Sequence, residues 1–473
     1  MDLDRSDPIQ ARAAGFEPGG AVAGQVRVPG SKSIAQRLVA AAAVARGRTR
    51  LVGLPSSDDV VGALRCARAM GARTPGATRA DDPMTAALLR RGKAGTIEGA
   101  PPDPRGAPRP WAVLEPGESG TCARLFSAVA ALGRTAGSGA ELRPEGTLVR
   151  RRSEPLLAAL QGAGAGLERG DGPGSWPAMF TAAIPGPMLE LTGAVSSQEV
   201  SGLLLALAAH AGERRLRVLG EVPSRGYVRL TVEVLERFGG SVAVESLVSD
   251  APDAAGELFT VRGPLAAPAE EVRCEADASA AAVALAAGAL SGGAVTEVHG
   301  VGRDSSQPDA AILRCLEAFG CSTEGSDRTR LVVQGRPTRG ARIDCEGHPD
   351  LAPVLAACGA FAAREGLGGT RLTGLGTLPG KESDRIAVLA EGLARVGLAV
   401  ETGPEHLLIG AGSGARAERL ELDPHGDHRM AFFTALVSLF EPGVRSLDPG
   451  CVAKSWPGFW RDLAAAGGRL SPS

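Results

Sequence analysis

Lysine is scarce in this chain, and where it stands it keeps company with serine, glycine and carboxylates. The four lysines are Lys32, Lys93, Lys381 and Lys454, against dozens of arginines. Three of them open compact polar clusters: Pro29-Gly30-Ser31-Lys32-Ser33, Gly380-Lys381-Glu382-Ser383-Asp384-Arg385 and Ala453-Lys454-Ser455. The single tyrosine, Tyr227, lies in a fourth, Ser224-Arg225-Gly226-Tyr227. An ammonium is a compact charge whose pKa burial can lower, which a guanidinium does not offer. Lysines kept in a chain that otherwise uses arginine therefore mark phosphate binding or proton transfer.

Further clusters stand where apolar stretches begin: Ser31-Lys32-Ser33 with Arg37, Ser119-Gly120-Thr121 with Arg124, Ser196-Ser197-Gln198, Pro349-Asp350, and Asp427-His428-Arg429. A helix start offers free N–H groups and a partial positive charge to phosphate or carboxylate. A cation one turn in adds charge-assisted hydrogen bonds. One such cluster is an ordinary helix cap. Five on copies of one architecture predict helix starts converging on a cleft between two domains to hold a highly anionic ligand set. Asp350 and Glu382 are the candidate proton acceptor and donor among these cations. His428 has no second histidine four residues on, so a hydrogen-bonding role is expected rather than metal ligation, and no metal site is expected elsewhere.

Six Ala/Leu-rich segments, beginning near Ile34, Thr121, Gln198, Ala278, Leu351 and His428, read as helices that must position these groups. Several run into a short β-type phrase, as in Gly47–Gly53, Gly212–Val218 and Gly369–Gly374. A second, amphipathic helix then ends at glycine, at Gly239, Gly320 and Gly397, with comparable stops at Gly71, Gly164 and Gly467. The roughly 70–90-residue period is too long for a solenoid rung. Six α/β copies imply two domains of three: residues 31–272, and residues 273–473 together with a strand from 1–30. Residues 75–110, rich in Pro, Gly, Arg and Asp, read as a long loop. Trp456, Phe459 and Trp460 should anchor the last helix.

Composition excludes several classes. The 473 residues carry a formal charge of −2, so no global field favours nucleic acid or a membrane surface. The eight cysteines form no C-x-x-C pair and lie mostly in apolar runs, as free buried thiols of a reducing compartment do. No leader-like apolar core occupies the first twenty residues, and apolar runs are too short to span a bilayer. A cytoplasmic enzyme is expected. Gly374-Leu375-Gly376 is a poor dinucleotide fingerprint, and no P-loop, H-E-x-x-H or G-x-S-x-G motif is present.

In this order and spacing the clusters resemble the 5-enolpyruvylshikimate-3-phosphate synthase family over nearly the whole chain. The matching segments are Val28-Pro29-Gly30-Ser31-Lys32-Ser33 with Arg37, Gly117-Glu118-Ser119-Gly120-Thr121 with Arg124, Ser196-Ser197-Gln198, Gly302-Arg303-Asp304-Ser305, Lys381-Glu382-Ser383-Asp384-Arg385, Asp427-His428-Arg429 and Lys454-Ser455 with Pro457. The resemblance implies an α/β (α+β) fold of two domains, each of three βαβαββ units, with buried helices behind short sheets. It implies transfer of the enolpyruvyl group of phosphoenolpyruvate to the 5-hydroxyl of shikimate 3-phosphate, with no metal or organic cofactor, in a monomer. By motif, shikimate 3-phosphate would meet Lys32, Ser33, Arg37, Ser196, Ser197, Gln198, Ser224, Tyr227, Asp350 and Lys381. Phosphoenolpyruvate would meet Lys32, Gly120, Arg151, Gln198, Arg385, Arg429 and Lys454. Asp350, Glu382 and Lys32 would carry the proton and phosphate chemistry.

Three positions depart from the family pattern. Glu118 and Thr377 stand where Asn is expected, and Arg152 where proline usually follows the Arg151 position. A carboxylate about 4 Å from a substrate anion costs on the order of 1–4 kcal/mol. Glu118 must therefore pair with a cation, turn away, or weaken phosphoenolpyruvate binding. The alternatives are a related transferase acting on another cyclic alcohol, or a phosphosugar-binding relative without turnover.

Overall fold

Runs such as Leu38–Ala45 and Ala280–Ala287 have no polar side to show water, and a helix apolar all round must be buried all round. The computed structural model bears this out. It describes residues 11–73, 95–103, 106–151, 153–172, 174, 176, 178–194, 196–248, 255–326, 329–413 and 418–471. The chain divides into two compact units, Gly30–Glu275 and Met1–Pro29 with Ala276–Ser473.

The unit Gly30–Glu275 holds α1 (Lys32–Val44), α2 (Asp58–Ala69), α3 (Gly120–Leu132), α4 (Glu154–Gly162), α5 (Ser197–Ala208) and α6 (Gly226–Arg237). Helices α1, α3 and α5 are buried along almost their whole length, while α6 buries Val228, Thr231 and Leu235 on one face. Three sheets cover them. In one, Met188–Thr192 runs parallel to Gly212–Leu219, which pairs antiparallel with Gly256–Gly263, and that strand with Ser241–Leu247. Ala112–Gly117, Gly139–Pro144, Ala178–Thr181 and Gly166–Arg169 repeat the order. In the third, Arg48–Val52 lies between Val272–Arg273 and Gly95–Glu98. The Pro/Gly-rich stretch 75–110 is thus not loop throughout: its strand Gly95–Glu98 completes a sheet, and 74–94 and 104–105 lie outside the described residues.

The other unit repeats the plan with α7 (Ala278–Ser291), α8 (Ile312–Ala318), α9 (Ala352–Arg364), α10 (Arg385–Arg395), α11 (His428–Ser438) and α12 (Phe459–Ala465). Helices α7, α9 and α11 are the buried ones and pack against one another. Strand Gly24–Val26 runs parallel to Thr296–His299 in one sheet, and Arg342–Asp344 parallel to Thr370–Thr373 in the next. In the last, Leu420–Leu422 runs parallel to Val444–Leu447, and the N-terminal strand Ala13–Ala14 supplies the antiparallel partner. Trp456, Phe459 and Trp460 are buried against Phe16 and Phe432, so the last helix is anchored as expected.

Local signals explain why the helices stop. Gly71, Gly164, Gly239, Gly320, Gly397 and Gly467 all have φ between 77° and 108°, a left-handed conformation that only glycine adopts without cost. All eight cysteines are free and buried. No helix among the described residues is long and apolar enough to cross a membrane.

Candidate functional site

Each buried helix begins in a polar cluster, and each unit gathers its clusters into one constellation. In Gly30–Glu275 the caps are neutral. Ser31, Ser119 and Ser196 accept hydrogen bonds from the first-turn N–H groups of Ile34, Cys122 and Gln198. These starts are tied together. Gln36 on α1 donates to Ser119 Oγ at 2.8 Å. Gln198 on α5 donates to Thr121 Oγ1 at 2.9 Å and accepts from Arg124 at 3.1 Å. Lys32 Nζ lies 3.1 Å from Asp59 Oδ2 on α2.

Two buried guanidiniums lie beneath these starts. Arg37 donates to Thr231 Oγ1 and to Ser33 O, each at 2.8 Å, and to Ser201 Oγ at 3.3 Å. Burial lowers its pKa to about 10, against a small opposing effect of Tyr227. Arg124 is lowered further, to about 9, by burial and then by the neighbouring Arg151 cation. A Cβ built on Gly120 would lie 2.6 Å from the Arg151 guanidinium, so glycine is what lets that cation lie on the start of α3. Neighbouring cations with neutral caps make a place where an anion relieves repulsion. Ser33, Ser196 and Ser197 sit at the starts of α1 and α5, and Ser224 (φ 54°) in the turn before α6, its carbonyl accepting from Tyr227 N.

In the other unit two of the three buried helices are capped by carboxylates. Asp277 caps α7 and Asp427 caps α11, while Asp350 sits in the 3-10 turn Pro349–Leu351 ahead of α9. This corrects the expectation of an open helix start at the Asp427 cluster, because Asp427 itself accepts from the first-turn N–H of α11. Cations gather around these carboxylates. Asp350 accepts from Arg385 at 2.8 Å and Arg429 at 3.0 Å, with Lys381 Nζ at 3.5 Å. Arg385 also forks onto fully buried Asp427 at 2.8 and 3.2 Å. Its burial opposes the charge, but Asp427 and Asp350 outweigh that and raise its pKa above the usual guanidinium value. Glu382 Oε2 lies 3.1 Å from His428 Nδ1 and 3.6 Å from Lys454 Nζ, which donates to Gly426 O at 2.7 Å.

Sequence comparison covers nearly the whole chain. Residues 16–463 match the family model of EPSP synthase (3-phosphoshikimate 1-carboxyvinyltransferase). The chain belongs to this family. It is similar to the 3-phosphoshikimate 1-carboxyvinyltransferase of Laribacter hongkongensis, at 36% identity over 455 residues, covering 93% of this chain and 96% of that protein. In fold it is similar to EPSP synthase from Acinetobacter baumannii, with TM-score 0.72 and 24% identity over 97% of this chain and 99% of that one. It is also similar to the enolpyruvyl transferase NikO from Streptomyces tendae, with TM-score 0.68 and 18% identity over 97% and 98% of the two chains.

Against the family pattern, Glu118 is turned onto its own scaffold. Its Oε2 accepts from Thr147 N at 2.9 Å and Thr147 Oγ1 at 3.0 Å. Thr147 belongs to the 3-10 segment Gly146–Arg150, which leads directly into Arg151. The carboxylate thus braces the strand-to-cation connection. Thr377 Oγ1 is buried with no hydrogen-bond partner among the described residues. Arg152 lies outside them.

Glu382, Asp427 and His428 bring ligand-type atoms within 4.8 Å of one another, the one such triad found among the described residues. Arg385 and Lys454 already supply the positive charge there. Sequence reasoning missed Asp59, Thr147, Ser279 and Asp309, none of which carried a local signal, whereas Asp427 stood in a flagged cluster without a role of its own.

Proposed function

We propose that the protein transfers the enolpyruvyl group of phosphoenolpyruvate to the 5-hydroxyl of shikimate 3-phosphate and releases inorganic phosphate. The observation that carries this reading is the cluster of Asp350 and Glu382 among Lys381, Arg385, Arg429 and Lys454. It combines two proton carriers with charge suited to a phosphate and a carboxylate. Lys32, Gly120, Arg151 and Gln198 complete the phosphoenolpyruvate set. Lys32, Ser33, Arg37, Ser196, Ser197, Gln198, Ser224, Tyr227, Asp350 and Lys381 hold shikimate 3-phosphate. Arg37, almost wholly buried, acts there by fixing Ser33 through its carbonyl.

In the forward step the acceptor oxygen bonds to C2 of phosphoenolpyruvate while its proton passes to Asp350. Glu382 delivers a proton to C3, converting the methylene to a methyl group. The resulting tetrahedral carbon carries both oxygens. Glu382 then takes a proton back from the methyl group, the C2–O bond to phosphate breaks, the enol ether re-forms, and the departing phosphate oxygen takes up the proton that Asp350 had accepted. Lys32 and Lys454 stabilise the charge on the departing phosphate. His428, hydrogen-bonded to Glu382, fixes that carboxyl against C3. Every charge needed is supplied by side chains, so no cofactor enters.

Glu118, engaged by Thr147, is compatible with phosphoenolpyruvate as donor, and the rival reading is transfer to another cyclic alcohol. Phosphorus NMR of phosphoenolpyruvate mixed with shikimate 3-phosphate, or with unphosphorylated cyclic alcohols, decides between them. Phosphate should appear with shikimate 3-phosphate alone. Equal turnover of the unphosphorylated alcohols would overturn the assignment. The same reading places the protein in the cytoplasm as a monomer, for which a sedimentation mass near 48 kDa is expected.

A further inference from the structure

Behind Arg429 lies a carboxyl that the proposed reaction does not use. Asp309, on the 3-10 turn Pro308–Ala311, is 1% exposed. Its Oδ2 accepts from the hydroxyl of Ser279 on α7 and stands 3.7 Å from Arg429 NH1. Its Oδ1 is buried with no hydrogen-bond partner among the described residues. Ser279 joins the two groups, because Arg429 NH2 donates to the same hydroxyl at 3.2 Å while also donating to Asp350 Oδ2 at 3.0 Å.

We propose that Asp309 is a positioning residue that, through Ser279, sets how much of the Arg429 charge is left for a substrate anion. This rests on the assignment of Arg429 to phosphoenolpyruvate. A neutral Asp309 accepts from Ser279 without competing for Arg429. An ionised Asp309 is a counter-ion at 3.7 Å that draws the guanidinium inward. Around it stand Arg429 on α11, Asp350 ahead of α9, Asp277 at the start of α7, and the thiols of Cys315 and Cys345, with His348 beside Cys315. Burial, opposed by Arg429 and assisted by Asp350, lifts the Asp309 carboxyl to about 7. The switch therefore falls near neutral pH. A carboxylate shifted upward stabilises the folded state least once ionised, so stability contributed by this site falls between about pH 4 and pH 7 and is flat above.

Sulfate stays a dianion from pH 6 to 8 and serves as the probe. Calorimetry on the full chain should show sulfate binding weakening about tenfold over that interval, the change in protonated fraction for a group titrating at about 7. D309N should remove this step, and its melting temperature relative to wild type should rise between pH 5 and 7. The Michaelis constant for phosphoenolpyruvate should follow sulfate, with kcat changing less; titration of the substrate phosphate is common to both proteins. Should D309N fail to fold, S279A carries the test, because losing the hydroxyl donor moves the step to higher pH. Superimposed sulfate profiles for wild type and variant overturn the inference. If no protein turns over phosphoenolpyruvate, the proposed reaction fails, while the sulfate and melting data still decide the role of Asp309.

Discussion

Asp350 and Glu382 differ in what surrounds them, and that difference sets their parts. Asp350 is held by two guanidiniums with a lysine beyond, whereas Glu382 rests on His428 with Lys454 at its edge. D350N keeps the size of the side chain and removes the proposed proton acceptor. Its kcat should fall about 10²–10⁴-fold, with a smaller change in the Michaelis constants, measured by initial rates of phosphate release. An unchanged kcat would assign Asp350 to binding alone. Glu118 makes a different prediction. E118A frees the segment leading to Arg151, so the Michaelis constant for phosphoenolpyruvate should rise several-fold. E118Q, which still accepts from Thr147, should rise less. If both variants bound phosphoenolpyruvate more tightly than wild type, the carboxylate would be a repulsive neighbour of the substrate and not a brace. The sequence named Glu118 as anomalous but could not show its direction, because its partner lies 29 residues on in another element.

Among elements, the helix starts and stops were readable because they are local. A serine or aspartate cap and a left-handed glycine each declare themselves within a few residues. Ion pairs are not local: Arg385 meets Asp350 and Asp427 at separations of 35 and 42 residues. Asp309 was silent for the same reason, being one aspartate beside a proline. The strand Gly95–Glu98 was hidden by breaker-rich flanks. Packing of the buried helices depends on close approach, which the sequence shows only as small residues. A Cβ at Gly202 on α5 would lie 2.7 Å from the Arg124 carbonyl on α3. G202A should therefore cost about 1–3 kcal/mol of stability, read by urea unfolding, and disturb Gln198 and Arg124 together. No loss of stability would show that α3 and α5 part without cost.

At the scale of the whole molecule, the chemistry is distributed. Neutral caps with Lys32, Arg124 and Arg151 belong to one unit, while the acid–base pair and Lys454 belong to the other. Of the six buried helix starts, three carry neutral serine caps and two carry aspartate caps, while Asp350 sits ahead of the sixth without capping it. The sequence revealed the repeat and its motifs, but the split in cap chemistry emerged only when each capping bond was seen. The most direct test of the account measures phosphate release from phosphoenolpyruvate, with and without shikimate 3-phosphate, in wild type, K32M and K454M. The account predicts release only with both substrates, and a loss of about 10²–10³-fold in kcat/KM for each lysine. Release independent of shikimate 3-phosphate, or a variant in either unit that retains full activity, would contradict it.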